Sequence, residues 1–107
     1  MDQGQAVIRE KVLRFYEAAK HLFPIKKVLL YGSHARGSAT AQSDIDVAVV
    51  VDERDHSRRV EITAKLFHSA FAVDAAIEPK CIFWDEYTSF DDASILSEII
   101  RTGVEIV

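Results

Sequence analysis

The stretch from Leu29 to Val51 constrains this chain more than any other. An apolar run ends in Tyr31-Gly32-Ser33, a polar loop follows, and a second, valine-rich run opens on Asp44-Ile45-Asp46. That order predicts a buried strand, a Gly-Ser turn opening a short helix, a loop, and a second buried strand headed by two carboxylates. Residues two apart on a strand share a face, so Asp44 and Asp46 point the same way. Two carboxylates that close repel one another and are costly to keep ionised at a half-buried position, and a bound cation relieves that cost. Hard oxygen donors on a rigid strand suit Mg²⁺, which takes one or two protein carboxylates and completes its shell with water and substrate phosphate.

Upstream of the loop, Gly32 and Ser33 stand where a helix can begin, so free backbone N–H groups there face an incoming anion. Gly32 lets the backbone approach closely. The Ser33 hydroxyl can cap the helix or bond a phosphate oxygen, two roles that compete for the same lone pairs. Phosphate on one side and metal-binding carboxylates on the other is the arrangement that phosphoryl or nucleotidyl transfer requires.

Gly32-Ser33-His34-Ala35-Arg36-Gly37, followed after the loop by Ser43-Asp44-Ile45-Asp46-Val47-Ala48-Val49, resembles the signature of the polymerase-β-like nucleotidyltransferase superfamily, in particular its minimal nucleotidyltransferase (MNT) branch. Either motif alone is common; the two in order, each on its expected element, carry the resemblance. It covers most of the chain and implies an α/β (α+β) fold, a small mixed β-sheet packed with helices. It also implies metal-dependent transfer of a nucleoside monophosphate, AMP from ATP, to an acceptor hydroxyl with release of pyrophosphate, at a two-metal Mg²⁺ site. Asp44 and Asp46 would hold the metal there, and Gly32, Ser33, Arg36 and Ser43 would bind the nucleotide. Arg36 keeps two roles open, pairing with a carboxylate to hold the loop or reaching a triphosphate oxygen, because its fork suits both. Related sequences often carry Arg where His34 stands, so His34 is read as solvent-facing rather than as a general base.

Two-metal transfer needs more negative charge than two Asp residues provide. A strand predicted over 72–83 offers Asp74 and Glu78, which period two places on one face, so spacing does not separate them. The resemblance favours Asp74 as the third catalytic and metal-binding carboxylate, since in the family an Asp on this strand usually completes the triad. Glu78 is then a strand-end residue positioned by Pro79.

The remaining elements follow from periodicity. An amphipathic helix is expected over about 5–23, with Phe15 and Tyr16 in the core and Pro24 ending it. Strands are expected over 26–31 and 45–51, the latter central because it is apolar on both faces. A second packing helix over 60–70 is expected to use Val60, Ala64, Phe67 and Phe71, with Ile62 and Leu66 beside them. Asp52, Glu53 and Asp55 are read as surface residues, and Trp84 and Tyr87 as core or partner-facing. Asp92 or Ser94 is expected to cap a last helix through Ile95, Leu96, Ile99 and Ile100, ended by Gly103, with a short strand or tail over 104–107.

At 107 residues the expectation is one nucleotidyltransferase domain, 1–107, too small to supply its own acceptor pocket. A protein partner or a second copy is expected to supply it. Stand-alone MNT proteins are often paired with a helical HEPN toxin, and the resemblance implies an antitoxin role in which a toxin Tyr is adenylylated. The alternative from another class is a non-catalytic or weakly catalytic, partner-binding antitoxin module, and an antibiotic-modifying transferase comes third, with no recognisable drug-binding segment. A net charge of −4 argues against broad nucleic-acid binding. Cys81 is the sole cysteine, which precludes an intramolecular disulfide and makes a reducing cytoplasm the expected compartment. No membrane association is expected, because no apolar run approaches a span and the first residues lack a basic-then-apolar signal pattern.

Overall fold

The fold is read from a computed structural model that describes residues 3–91 and 94–107. Helix α1 (Gln3–Ala19) buries Val12, Phe15 and Ala19 along one face at steps of three and four residues. It stops four residues short of the predicted end: Leu22 faces solvent while Phe23 turns back into the core. The Pro24 carbonyl then accepts the Asp52 N–H at 2.9 Å, which ties the start of strand β1 (Ile25–Tyr31) to the end of β2 (Ile45–Val51).

With β3 (Ile77–Phe83) and β4 (Val104–Glu105) these strands form one mixed sheet in the order β3-β2-β1-β4. β1 runs antiparallel to β2 and β4, and β2 runs parallel to β3. β2 is central, as its valines predict. Ile45, Val47, Val49 and Val51 join the α1 side of the core, and Ala48 and Val50 join a second cluster with Leu29, Ile82 and Ile99. A continuous apolar strand therefore fits, because both sheet faces are covered beyond its first residues.

The crossover from β2 to β3 runs through helix α3 (Arg59–Phe71), and here the predicted face is reversed. Ile62, Leu66 and Ala70 are fully buried, while Val60 is 81% and Phe71 74% exposed and Phe67 is also exposed. Both stripes are apolar at the same period, so periodicity could not choose between them. Packing against the sheet settles it, and Arg59 braces the result: its Nη1 donates to the Cys81 carbonyl at 2.8 Å and its Nη2 to Glu86 at 2.6 Å, which ties the start of α3 to β3 and the segment after it. The same contacts shield the outer edge of the sheet. Pro79 has no N–H to offer there, Arg59 takes the Cys81 carbonyl, and Glu86 accepts the Phe83 N–H at 3.0 Å.

β3 begins at Ile77, five residues later than predicted. Asp74 closes the turn before it, Oδ1 accepting the Ala76 N–H at 2.8 Å and the Asp74 carbonyl accepting the Ile77 N–H at 3.1 Å. Trp84 opens α4 (Trp84–Thr88), and Trp84 and Tyr87 pack half-buried on the second cluster. Ser94 caps the last helix, α5 (Ile95–Thr102), its Oγ accepting the Ser97 N–H at 3.2 Å; Asp92 lies outside the described residues. A Cβ at Gly103 would press on the Ile99 carbonyl, so glycine permits the bend from α5 into β4. No helix among the described residues is long and apolar enough to cross a membrane.

Candidate active site

Tyr31, Asp46 and Glu78 stand abreast on three neighbouring strands. Tyr31 pairs with Asp46 in the antiparallel register, and Asp46 pairs with Glu78 in the parallel one. Strand alternation places all three on the sheet face away from α1 and α3. Asp44 directly precedes β2, exposed, and shares that face.

These carboxylates feel one another's charge. The Asp46 carboxyl is pushed above its ordinary range first by burial and then by Asp44, with His34 and Arg36 pulling the other way. Glu78 is exposed, yet its carboxyl is also pushed up, by partial desolvation, by the charges of Asp44 and Asp46, and by a hydrogen bond with the Asp44 side chain. The half-buried Tyr31 phenol is raised by burial and then by Asp46 and Glu78. Sequence reading missed Tyr31, whose position one residue before Gly32 was the available signal.

The expected third carboxylate, Asp74, does not join them. It sits in the turn before β3, and its Oδ2 accepts from Lys11 of α1 at 2.6 Å. Its carboxyl is held below the usual range, first by Lys11 and then by the Ala76 N–H. Spacing cannot separate Asp74 from Glu78 on a strand spanning 72–83; with β3 starting at Ile77, pairing with β2 sets Glu78 alone beside Asp46.

The turn beside the carboxylates is helix α2 (Ser33–Arg36), a single turn. Gly32, at φ 75°, precedes it in a backbone region that L side chains rarely adopt, and a Cβ there would overlap the Asp46 carboxylate. Glycine therefore lets the turn and the acid lie in contact. Gly37 closes α2 in the left-handed region, its N–H donating to the Ser33 carbonyl. Among the described residues no group bonds the Ser33 hydroxyl and no carboxylate forms an ion pair with Arg36. Ser43 braces the loop instead, its Oγ accepting the Thr40 N–H at 2.9 Å. His34 departs from its solvent-facing expectation, since its Nε2 is shut off from solvent without a hydrogen-bond partner. Asp52 faces Lys26, Glu53 pairs with Arg58, and Asp55 accepts from Ser57, all at the far end of β2.

No three His, Cys, Asp or Glu side chains among the described residues are gathered into a ready-made metal cage. The donor set nonetheless fits Mg²⁺, which leaves most of its shell to water and phosphate, and the raised carboxyls of Asp46 and Glu78 mark negative charge that a cation would neutralise.

The family model described as "Nucleotidyltransferase domain" matches residues 12–101. The chain belongs to that family. Two Methanocaldococcus jannaschii proteins, provisionally named protein adenylyltransferases, are similar to this nucleotidyltransferase domain. One is 37% identical over 49 residues, covering 46% of this chain and 49% of the relative. The other is 35% identical over 66 residues, covering 61% and 65%. The chain thus spans about half to just under two thirds of the curated relatives it matches. In fold the domain is similar to a provisionally named nucleotidyltransferase from Sulfolobus solfataricus, with a TM-score of 0.65 at 18% identity over 94% of this chain and 80% of that one. It is similar also to a toxin-antitoxin structure with AMP-PNP, with a TM-score of 0.57 at 22% identity over 92% and 72%. A third likeness is to the complex of the tri-AMPylated Shewanella oneidensis HEPN toxin with MNT antitoxin, with a TM-score of 0.52 at 21% identity over 96% and 71%. At such identities the three structures speak to fold alone.

Proposed function

We propose that this domain transfers AMP from ATP to a hydroxyl of a protein acceptor, releasing pyrophosphate, and that Asp44, Asp46 and Glu78 are its metal-binding carboxylates. The observation that carries this reading is the contact between Gly32 and Asp46, which sets an unbonded Ser33 hydroxyl beside a line of carboxylates. When bound there, Mg²⁺ would neutralise phosphate charge and polarise the α-phosphate.

The residues divide the work by position. Ser33 donates to a phosphate oxygen, and the exposed, unpaired Arg36 binds the triphosphate rather than bracing the loop. Ser43 shapes the segment that delivers Asp44. Glu78, at the solvent side of the cluster with its carboxyl pushed up, takes the proton of the acceptor hydroxyl as its oxygen bonds the α-phosphorus. The bond from that phosphorus to the bridging oxygen breaks, and the electron pair leaves with pyrophosphate.

The acceptor class is supported by the provisional names of the curated relatives, and the partner class by the fold likeness to a HEPN toxin bound to MNT antitoxin. A HEPN-type toxin, modified on Tyr, is the proposed partner, which makes the domain an antitoxin. A buried, unpaired Cys81 and the use of ATP fit the cytoplasm as its compartment.

The test is to incubate the protein with α-labelled ATP, Mg²⁺ and a co-expressed HEPN-type partner. Label should pass to a Tyr of the partner and fail to pass with Asp46→Asn. A stable complex that neutralises the partner with no label transferred would favour the contact-only antitoxin and overturn the catalytic reading.

A further inference from the structure

Behind α2, on the sheet side opposite Asp46 and Glu78, a cleft of about 630 Å³ opens between α1, the loop from Gly37 to Ser43, and the chain after α5. Its size falls within the roughly 300–1,000 Å³ of small-ligand pockets, and its lining joins apolar side chains to a substantial polar share. Ile8, Leu30, Ile45 and Ile106 supply apolar surface.

Among the described residues, two polar groups in the lining have no protein partner. The His34 Nε2 is buried and unbonded, a state that native proteins rarely leave unexplained. Arg9 is half-buried, and no carboxylate among the described residues pairs with it. The other charges cancel, since Lys11 is taken by Asp74 at 2.6 Å. The lining therefore carries one uncompensated positive charge and one orphaned ring nitrogen above an apolar floor.

We propose that this cleft is a second binding site, separate from the carboxylates, for a small organic anion with an apolar body and a single anionic head. The head pairs with the Arg9 guanidinium, the His34 ring turns so that its now-buried Nε2 makes a hydrogen bond to the head, and the apolar body displaces water from the floor. The site stands independently of the transferase reading.

The probe is 8-anilinonaphthalene-1-sulfonate, an aromatic body with one anionic head, titrated into the ¹⁵N-labelled full chain and followed by NMR. Saturable one-to-one binding is expected, with shifts at the amides of Ile8, Ala35, Thr40 and Ala76. Arg9→Gln and His34→Leu should each weaken it at least fivefold, and Ala76→Leu, which fills the cleft from its apolar side, should abolish it; the same spectra report whether each variant is folded. Asp44→Asn/Asp46→Asn should bind the dye as the native chain does. Shifts confined to the exposed Phe67 and Phe71 surface, or affinity unchanged in all three cleft variants, would overturn the proposal. So would loss of dye binding in the double Asp variant together with displacement by Mg²⁺ and AMP-PNP, because the cleft would then be part of the nucleotide site.

Discussion

Asp46 on β2 and Glu78 on β3 occupy the same register position of a parallel strand pair, so two carboxylates lie side by side with Asp44 next to them. Both carboxyls are raised in the folded state. A raised acid weakens the fold above its folded pKa, where it is ionised, and the penalty vanishes as the pH falls below its unfolded value. Asp46→Asn should therefore stabilise the metal-free protein by about 0.5–1 kcal/mol at pH 7, and Glu78→Gln, whose carboxyl is exposed and screened by water, should do so by less. Urea unfolding at pH 7 and at about pH 3 checks this, and the gain should be absent at the lower pH.

Asp74 predicts the opposite sign. Its carboxyl is depressed first by Lys11 and then by the Ala76 N–H, so it stabilises the fold above the ordinary Asp pKa of about 4, and that stability is lost as the pH falls through the lower folded value. Asp74→Asn should lower stability at pH 7 by about 1 kcal/mol. In the transfer assay it should keep activity within about twofold, while Glu78→Gln should lose about a hundredfold or more. The reverse ranking would return the third carboxylate to Asp74.

Gly32 and Gly37 share a positive φ but differ in their surroundings. A Cβ at Gly32 would overlap Asp46, whereas one at Gly37 would meet nothing within 4 Å. Both Ala variants bear backbone strain, about 1–2 kcal/mol at Gly37 in the left-handed region and more at Gly32, whose ψ of −152° lies in a region essentially reserved for glycine. Only Gly32→Ala must also move the Asp46 carboxylate, so it alone should lose affinity for AMP-PNP and Mg²⁺, by about tenfold or more. Calorimetric titration of the two variants separates strain from displacement.

The two apolar stripes of α3 should respond very differently to substitution. Leu66→Ala opens space in a fully buried layer and should destabilise by about 3 kcal/mol. Phe71 is 74% exposed, so Phe71→Ser should change stability by no more than about 0.5 kcal/mol. Thermal unfolding of both variants is enough to show which stripe is inside.

The parts of this molecule legible in its sequence are those built from near neighbours. The β1 strand, the Gly32-Ser33 turn, the Asp44 and Asp46 pair and the central place of β2 follow from strand period, a glycine before a helix start, and a valine run. All depend on interactions within a few residues, and the structure has each of them. Phe15 likewise falls where helical spacing puts it.

Tertiary contacts decided the rest, because local chemistry left two answers of equal merit. α3 has two apolar faces of the same period, and packing against the sheet buried one of them, with Arg59 reaching across to the Cys81 carbonyl at its start. Asp74 and Glu78 lie four residues apart in a segment that could have been all strand. The turn closed by Asp74 and its bond to Lys11, 63 residues away in sequence, drew Asp74 to one side of the sheet. Parallel pairing of β2 and β3 left Glu78 on the other, beside Asp46. Periodicity specifies which residues share a face, and only packing against the rest of the chain specifies what that face meets.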